Sequence, residues 1–542
     1  MPHDPDRPAH LPTFRLSSWL QALAAPSLLF AVLASPGCMV GPDYVEPEAK
    51  VASDWQESAD PRVSSASSTH ADWWRGFEDP ILDELIYRAY EQNLDLQQAG
   101  IRVLQARAQL GIAVGQSFPQ VQQFSANYTR EEVSKNLSDP PPSRTYNDYS
   151  TGLDATWELD FWGQFARNTR AANATLLSTV ADYDSVLVTL TGDVASNYIS
   201  IRAFEQQALL ARQDIESQRG VLSLTQNQFE NGAVSELDVV QALTRLSQSQ
   251  ALVPQLQIEL RQTKNALCVL LGEPPHSLDE VLGRGSDFPR SPQEVAAGVP
   301  ADLLLRRPDV RAAERTAAAQ AERIGIAEAN LYPHFSIAAS GGWEAANTGD
   351  LLKRSSWTAS GGGGFQWDIF NYGRLRNDVR VEDALFQQSV LQYQNIVLQA
   401  AAEVEDALIG FLMEQDRATF LTVATEASKR SLTLSLSQYR EGTANYTRVL
   451  DAQSSLFEAQ QDLVQSQANE ILNLIAAYKA LGGGWQLREG HDFVPESTRK
   501  EMAERTNWGD MLSTDYSEGS DLGHPRPDPD ELYPAIEAGT QP

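Results

Sequence analysis

Residues 221–242 read VLSLTQNQFENGAVSELDVVQA, and residues 432–453 read LTLSLSQYREGTANYTRVLDAQ. Leu222 of the first stretch aligns with Leu432 of the second, and this constant separation of 210 positions continues outward without drift and becomes 214 further upstream. The matching pairs include Gln228 and Gln438, Gly232 and Gly442, Trp157 and Trp367, Gly163 and Gly373, and, at the longer separation, Gly111 and Gly325, and Pro119 and Pro333. The chain is therefore a tandem duplication of a unit of roughly 200 residues, far longer than a solenoid repeat.

Two long segments without proline end at Gly232 and Gly442, and they begin just after Gly163 and Gly373. Their apolar residues recur at helical spacing, and a helix of that length reaches roughly 100 Å. Shorter helical segments follow, at about 235–271 and about 301–331. Glycine after the last residue of a helix is typical of a C-cap. The repeated stretch therefore predicts the tip of a helical hairpin, made twice, with the long helices packed as coiled coils.

Four short segments alternate between apolar and polar residues. The clearest are residues 152–161 and 357–369, and weaker partners around Phe124 and Phe335 complete the hairpins predicted at 120–161 and 334–370. Strands of about ten residues with this pattern are typical of membrane barrels, although half-buried strands of a soluble sandwich alternate too. Four strands cannot close, and lipid does not tolerate an open sheet edge. Because the smallest membrane barrels have about eight strands, we expect several copies to share one barrel, and a trimer supplies twelve.

The first 37 residues have the pattern of a secretory signal. Arg7 and Arg15 precede an apolar run, residues 19–33, and small residues then lead to Cys38. This pattern resembles the signals of bacterial lipoproteins, which implies a covalent lipid on Cys38 and cleavage before it. An ordinary cleaved signal that leaves a free thiol is the alternative.

Composition disfavours several classes of protein. The formal net charge of −30 makes nucleic acid an unlikely partner. After the signal, no stretch of 18 uncharged apolar residues predicts a membrane-spanning helix. The other cysteine, Cys268, lies in an apolar helical segment and is expected to be buried, so no disulfide framework is predicted.

Catalytic and metal-binding motifs are not found. The histidines after residue 38 are widely scattered, with neither a Gly-x-Ser-x-Gly motif nor the spacing of metal ligands. We therefore predict that the protein is not an enzyme and that it holds no cofactor. Near the C-terminus, residues 501–542 carry ten acidic and two basic side chains, which predicts a mobile acidic tail.

Several segments together carry a family resemblance. They are residues 38–47 (CMVGPDYVEP), 302–314 (DLLLRRPDVRAAE), 330–333 (NLYP), 370–374 (FNYGR), 445–453 (NYTRVLDAQ) and 480–485 (ALGGGW). With these segments the chain resembles the TolC/OprM/NodT-type outer-membrane efflux factors, in their lipoprotein branch. The resemblance covers residues 38 to about 490.

The resemblance implies an α+β membrane protein and a homotrimer. Its β-barrel of twelve strands, four from each chain, is expected in the outer membrane, and a long α-helical coiled-coil tunnel is expected to continue it through the periplasm. The implied partners are a periplasmic adaptor protein, an inner-membrane pump of the resistance-nodulation-division class and outer-membrane lipid. The implied function is that of a passive, gated conduit in a tripartite efflux pump for small toxic molecules or drugs.

Alternative functions stay open at this point. Type I secretion and metal-ion efflux use the same architecture. A structural lipoprotein that bridges the periplasm would account for the long helices but not for the paired strands.

The resemblance also implies functional positions at the two tips. The tips at Gly232 and Gly442 are the expected docking points for the adaptor. An inward-facing aspartate of the gate falls on Asp451, which three copies would gather into an acidic ring whose like charges repel one another. A second acidic position of some members falls on Arg448, so that ring is expected to be lost or inverted.

A link between the hairpins is implied as well. Its aspartate falls on Asp238 and its tyrosine on Tyr439, whereas its arginine falls on Ala444. We hypothesise that Arg448 or Arg440 takes over the role of that arginine. Solvated helix charges, and a tyrosine that only packs, are the alternatives for these positions.

The predicted organisation follows from the duplication. It comprises a signal peptide (1–37), an N-terminal extension and equatorial segment (38–93), a first repeat (94–272), a second equatorial segment (273–300), a second repeat (301–484) and a C-terminal segment with the acidic tail (485–542).

Overall fold

The computed structural model describes residues 39–66, 70–134, 136, 143–283, 285, 287–301 and 306–513. Its longer helices are α1 (Pro80–Gln92), α2 (Leu94–Gly115), α3 (Gln164–Glu230), α4 (Glu236–Leu270), α5 (Pro308–Ala329), α6 (Arg374–Arg440), α7 (Tyr446–Ala480) and α8 (Glu496–Arg505). Its longer strands are β1 (Val121–Glu132), β2 (Thr145–Leu159), β3 (His334–Ala345) and β4 (Trp357–Gln366). Within these residues, no helix combines the length and the apolar character that crossing a membrane requires.

The helices repeat in length as well as in sequence. Both α3 and α6 have 67 residues, α4 and α7 have 35, and α2 and α5 have 22. The first two pairs begin 210 positions apart and the third begins 214 apart, as the sequence separations require. The predicted duplication is confirmed.

Several predicted boundaries differ from the structure, and the strand predicted at residues 152–161 runs instead from Thr145 to Leu159. Helix α5 begins at Pro308, whereas the predicted segment began near residue 301, and residues 302–305 lie outside the described residues. Proline suits the first position of a helix and disfavours helical backbone in the residue before it. Strand β4 ends at Gln366 rather than at residue 369. There the N–H of Ile369 donates to the carbonyl of Trp367 at 3.0 Å, which turns the backbone out of the ladder.

The four longer strands form one antiparallel sheet in the order β1-β2-β3-β4. Residues directly opposite each other share a face, so the register tests the predicted alternation. Leu159 pairs with Phe335, which pairs with Phe365. On the other face, Asp154 pairs with Ser340. One face is apolar and the other polar, as the period-two pattern predicts.

The described residues divide into two compact units. The first comprises residues 39–42, 116–167 and 325–379 and contains the sheet. The second comprises 43–115, 168–324 and 380–513 and contains most of the helical residues, with the gaps given above.

The second unit has a continuous core that joins its helices. Its fully buried side chains include Trp74, Tyr198 and Phe411, each of which contributes about 1.5–3 kcal/mol or more by leaving water. Cys268 is also buried in this core, as predicted. A two-residue parallel strand pair, Val63–Ser64 with Val295–Ala296, adds a connection that the sequence pattern did not predict.

The C-terminal segment is folded further than predicted. Residues 496–505 form α8, and the buried side chain of Met502 packs with Leu104 of α2 and with Val494. Arg107 donates to the carbonyl of Met511 at 3.2 Å. The predicted mobile tail is therefore wrong for residues 501–513. The prediction rested on the acidic composition of the whole segment, which does not reveal the few apolar residues that pack. Residues 514–542 lie outside the described residues.

Candidate functional site

The first hairpin tip joins α3 to α4 at Gly232. This residue has a φ of +73°, the left-handed conformation that favours glycine. Its N–H donates to the carbonyl of Phe229 at 2.9 Å, and the N–H of Ala233 donates to that of Gln228 at 2.8 Å. These two bonds are a Schellman motif, which satisfies the last carbonyls of α3. The predicted C-cap is confirmed.

The second tip, between α6 and α7, repeats this backbone. Gly442 has a φ of +72°, its N–H donates to the carbonyl of Tyr439 at 3.1 Å, and the N–H of Thr443 donates to that of Gln438 at 2.9 Å. A Cβ added at Gly232 or Gly442 would meet no atom within 4 Å. Glycine is therefore required at both tips for its conformation and not for space.

Tyr439 packs between the two hairpins. Its side chain is 2% exposed and belongs to a small cluster with Val221 of α3, Ala242 of α4 and Val449 of α7. Its hydroxyl donates to Oγ1 of Thr225 at 3.4 Å. The second tip is thereby fixed against the outgoing helix of the first hairpin.

Tyr446, at the start of α7, completes this cluster. Its ring centroid lies 5.9 Å from that of Tyr439. Burial, with a contribution from Tyr439, raises the pKa of Tyr446 to about 12. Its hydroxyl is buried and has no hydrogen-bond partner among the residues that the structure describes.

Asp238 lies in the first turn of α4 and is half-buried. Burial is the largest cause of the raised pKa of Tyr439, and the negative charge of Asp238 raises it further. The same charge also raises the pKa of Tyr446. The charge of Asp238 thus acts on Tyr439, whereas the hydroxyl of the tyrosine donates its hydrogen bond to Thr225.

A second feature lies at the beginning of the described chain. Arg167 of α3 is 1% exposed and donates to three consecutive carbonyls, those of Val40 (2.7 Å), Gly41 (2.9 Å) and Pro42 (3.1 Å). A Cβ on Gly325 of α5 would lie 2.1 Å from Cδ of Arg167, so α5 can approach the arginine only with glycine at this position. The guanidinium therefore fixes residues 40–42 to helix α3 within the first unit.

Comparison with known proteins bears on both features. The model of the family described as "Outer membrane efflux protein" matches residues 85–273 and again residues 299–483, once for each repeat. The chain belongs to this family. The outer-membrane efflux channel fold, the efflux function and the location in the outer membrane, extending into the periplasm, are thereby confirmed.

Individual relatives agree with the family match. Nodulation protein T of Rhizobium leguminosarum bv. trifolii is 33% identical over 463 residues, 84% of this chain and 96% of that protein. The toluene efflux pump outer membrane protein TtgI of Pseudomonas putida is 32% identical over 469 residues, 85% of this chain and 98% of that protein. The outer-membrane channel OprN superposes with a TM-score of 0.78 at 30% identity, covering 83% of this chain and 100% of that one.

The predicted gate charges of this outer membrane efflux protein lie on the surface of a single chain. Asp451 and Arg448 are exposed in the first turns of α7, and Arg440 is exposed at the end of α6. Among the described residues, none of the three forms an ion pair within the chain. The acidic ring at Asp451 and the substitution of the missing arginine both involve further copies and stay predictions. Cys38 lies outside the described residues.

Sequence analysis missed two buried polar residues of α7. Tyr446 aligns with Glu236, and Gln453, which is 2% exposed, aligns with Leu243. Both amide atoms of Gln453 are without a hydrogen-bond partner within the described part of the chain. The sequence signal that could have identified these two residues is a change of residue class between aligned positions of the two repeats.

Proposed function

We propose that three copies of this chain assemble into a gated outer-membrane conduit that passively exports small toxic molecules. A periplasmic adaptor protein docks at the tips around Gly232 and Gly442, and an inner-membrane pump of the resistance-nodulation-division class supplies the energy. The observation that carries this proposal is the pair of equal helical hairpins in each chain, each of which lies in a separate match to the efflux family. The activity proposed is conduction and not catalysis.

The class of cargo follows from the relatives. One of them is a toluene efflux pump component, and it matches this chain along 98% of its own length. That similarity supports small organic toxicants, such as solvents or drugs, as the molecules exported.

The gate is assigned to the second tip. In a trimer, Asp451 of each copy faces the axis, and the three carboxylates form a narrow acidic ring that favours cations. Asp238 and Tyr439 hold the two hairpins of one chain together in the closed state, and Arg448 or Arg440 replaces the missing arginine of that link. Opening requires these contacts to separate.

The lipid anchor is assigned to Cys38. Arg167 fixes the chain at residues 40–42, which begin two positions after this cysteine. Two anchors, the lipid and the sheet, then keep the channel in the outer membrane.

Planar-bilayer conductance of the purified trimer tests the conduit and its gate. We expect a small, cation-selective conductance in the wild type that rises severalfold in Asp451→Ala. Gln241→Ala, the aligned position of the first tip, is the matched control and should leave the conductance unchanged. An intact trimer without any conductance would refute the conduit. A conductance that is the same in Asp451→Ala and the wild type would refute the assigned constriction only.

A further inference from the structure

Large apolar side chains are exposed where β4 ends. Ile369, Phe370 and Tyr372 are 64%, 88% and fully exposed, respectively. Tyr372 also has a φ of +51°, a conformation that residues other than glycine adopt rarely and that costs free energy unless its surroundings stabilise it. Within one chain, this run of residues is an uncovered apolar patch beside the edge strand of the sheet.

The aligned region of the first repeat is covered. Trp162 aligns with Tyr372 at the separation of 210, and its ring stacks on that of Tyr332 with a centroid distance of 4.6 Å and an angle of 26°. Its Nε1–H donates to the carbonyl of Pro333 at 2.8 Å. The residue that follows the second strand of one hairpin thus packs, half-buried, against the residues that precede the next hairpin.

The separations of 210 and 214 positions relate not only aligned residues but also the contacts that these residues make. Trp157 donates to the carbonyl of Ser117 at 3.3 Å, and Trp367 donates to that of Leu331 at 2.9 Å. The tryptophans are 210 positions apart and their acceptors are 214 apart. A contact of the first hairpin therefore has a counterpart in the second hairpin. The counterpart is found by adding 210 to the number of one partner and 214 to the number of the other.

Applying these two separations to the contact between Trp162 and Tyr332 identifies a second pair of aromatic residues. Trp162 becomes Tyr372, and moving back by 214 converts Tyr332 into Phe118 and Pro333 into Pro119. Phe118 precedes β1 and Tyr372 follows β4, and these strands are the two edges of the four-stranded sheet. Phe118 is 42% exposed. Each ring therefore lies exposed beside a different edge of the same sheet.

We infer that Tyr372 of one copy stacks on Phe118 and Pro119 of the next copy. The contact between the two repeats inside a chain is thus repeated between chains, with a tyrosine in place of the tryptophan and a phenylalanine in place of the tyrosine. Offset stacking of two aromatic rings is favourable, and it removes from solvent the apolar side chains that a single chain leaves exposed. The inference rests on the trimer of the proposed function, and it adds the residues that join neighbouring copies.

A cross-linking experiment tests this pair in the full-length protein. Tyr372→Cys and Phe118→Cys are introduced together, and the detergent-extracted trimer is treated with a short bismaleimide. The native Cys268 is buried, so each single variant gives the background. Trp162→Cys with Tyr332→Cys is the positive control, which should cross-link within one chain. Tyr372→Cys with Tyr128→Cys is the matched negative control, because exposed Tyr128 lies about 24 Å along β1 from Val121.

We expect covalent dimers and trimers on denaturing gels with the Tyr372/Phe118 pair, and their loss in both single variants and in the negative control. Mass spectrometry should identify the joined peptides as coming from residues near 118 and 372. An intact trimer in which this pair cross-links no better than the negative control overturns the inferred contact and leaves the proposed function standing. A protein that is monomeric before cross-linking overturns both.

Discussion

The two hairpin tips of this channel have the same backbone. Each follows a helix of 67 residues, each turns at a glycine with a φ near +73°, and each closes with the same pair of Schellman hydrogen bonds. The helices that leave the two tips also have equal lengths. Duplication has preserved every feature that the backbone needs to reverse its direction.

The side chains of the two tips differ. Phe229 of the first tip is 44% exposed, whereas the aligned Tyr439 of the second is 2% exposed. Asp238 aligns with Arg448, and the two therefore carry opposite charges at equivalent positions. Only the second tip buries its aromatic residue between the hairpins. Duplication therefore kept the backbone of the turn, while the side chains around its two copies diverged. Three substitution experiments test whether the two tips differ in stability as their side chains do.

The largest effect is expected for the aligned aromatic pair. Tyr439→Ala removes a buried ring from the tip cluster and should lower the local free energy of opening by about 3–5 kcal/mol. Phe229→Ala is the matched change at the half-exposed position and should cost about 1 kcal/mol or less. Amide hydrogen exchange of residues 221–242 and 432–453 measures both. Equal losses in the two variants would show that the tips are energetically equivalent.

An intermediate effect is expected for the tip glycines. Gly232→Ala and Gly442→Ala force a Cβ into the left-handed region and should each cost about 1–2 kcal/mol. Gly220→Ala, on an open helical position of α3, should instead stabilise the protein by about 0.5–1 kcal/mol. Hydrogen exchange at each site measures these changes. A cost at only one tip would contradict the view that the backbone requirement is shared.

The smallest effect is expected for Tyr446, whose aligned residue in the first tip is Glu236. Its buried hydroxyl lacks a partner in the described part of the chain, so Tyr446→Phe should be neutral or should stabilise the tip by up to about 1 kcal/mol. Tyr439→Phe is the matched control and should lose about 0.5 kcal/mol with its bond to Thr225.

Tyr446 also makes the tip sensitive to alkali. Burial raises its pKa from 10.0 to about 12, so the folded tip favours the neutral hydroxyl. This contribution to stability is fully present below pH 10 and is lost as the pH rises through about 12. Hydrogen exchange or limited proteolysis of the tip as a function of pH should show a smaller alkaline loss in Tyr446→Phe. An identical pH profile in the variant would argue against burial of this residue.

The features that sequence predicts well are local or repeated. A glycine after a long segment with helical periodicity predicted both C-caps. The boundaries of α4 at residues 236 and 270 lie within one residue of the predicted 235 and 271. Alternation predicted which residues of β2 and β4 are apolar. Each of these features is determined by neighbours along the chain or by the aligned repeat.

The features that sequence misses depend on distant partners. The strand pair Val63–Ser64 with Val295–Ala296 is too short to show any period. Burial of Tyr446 depends on the other hairpin, because the aligned Glu236 is exposed at the same place on its own helix. Met502 packs on α2, nearly 400 positions away in the chain, although its surroundings in the sequence are acidic. Local composition carries no information about such contacts.

The equal length of α3 and α6 limits how the gene for this channel can change. Deleting one residue from either helix shifts everything beyond it by about 1.5 Å and rotates it by about 100°. Tyr439 would then face away from Thr225, and the tip cluster would lose its complementary shape. A deletion in one repeat is therefore tolerated only with a matching deletion in the other. The two halves of the gene are free to diverge in composition, but their long helices keep a common length.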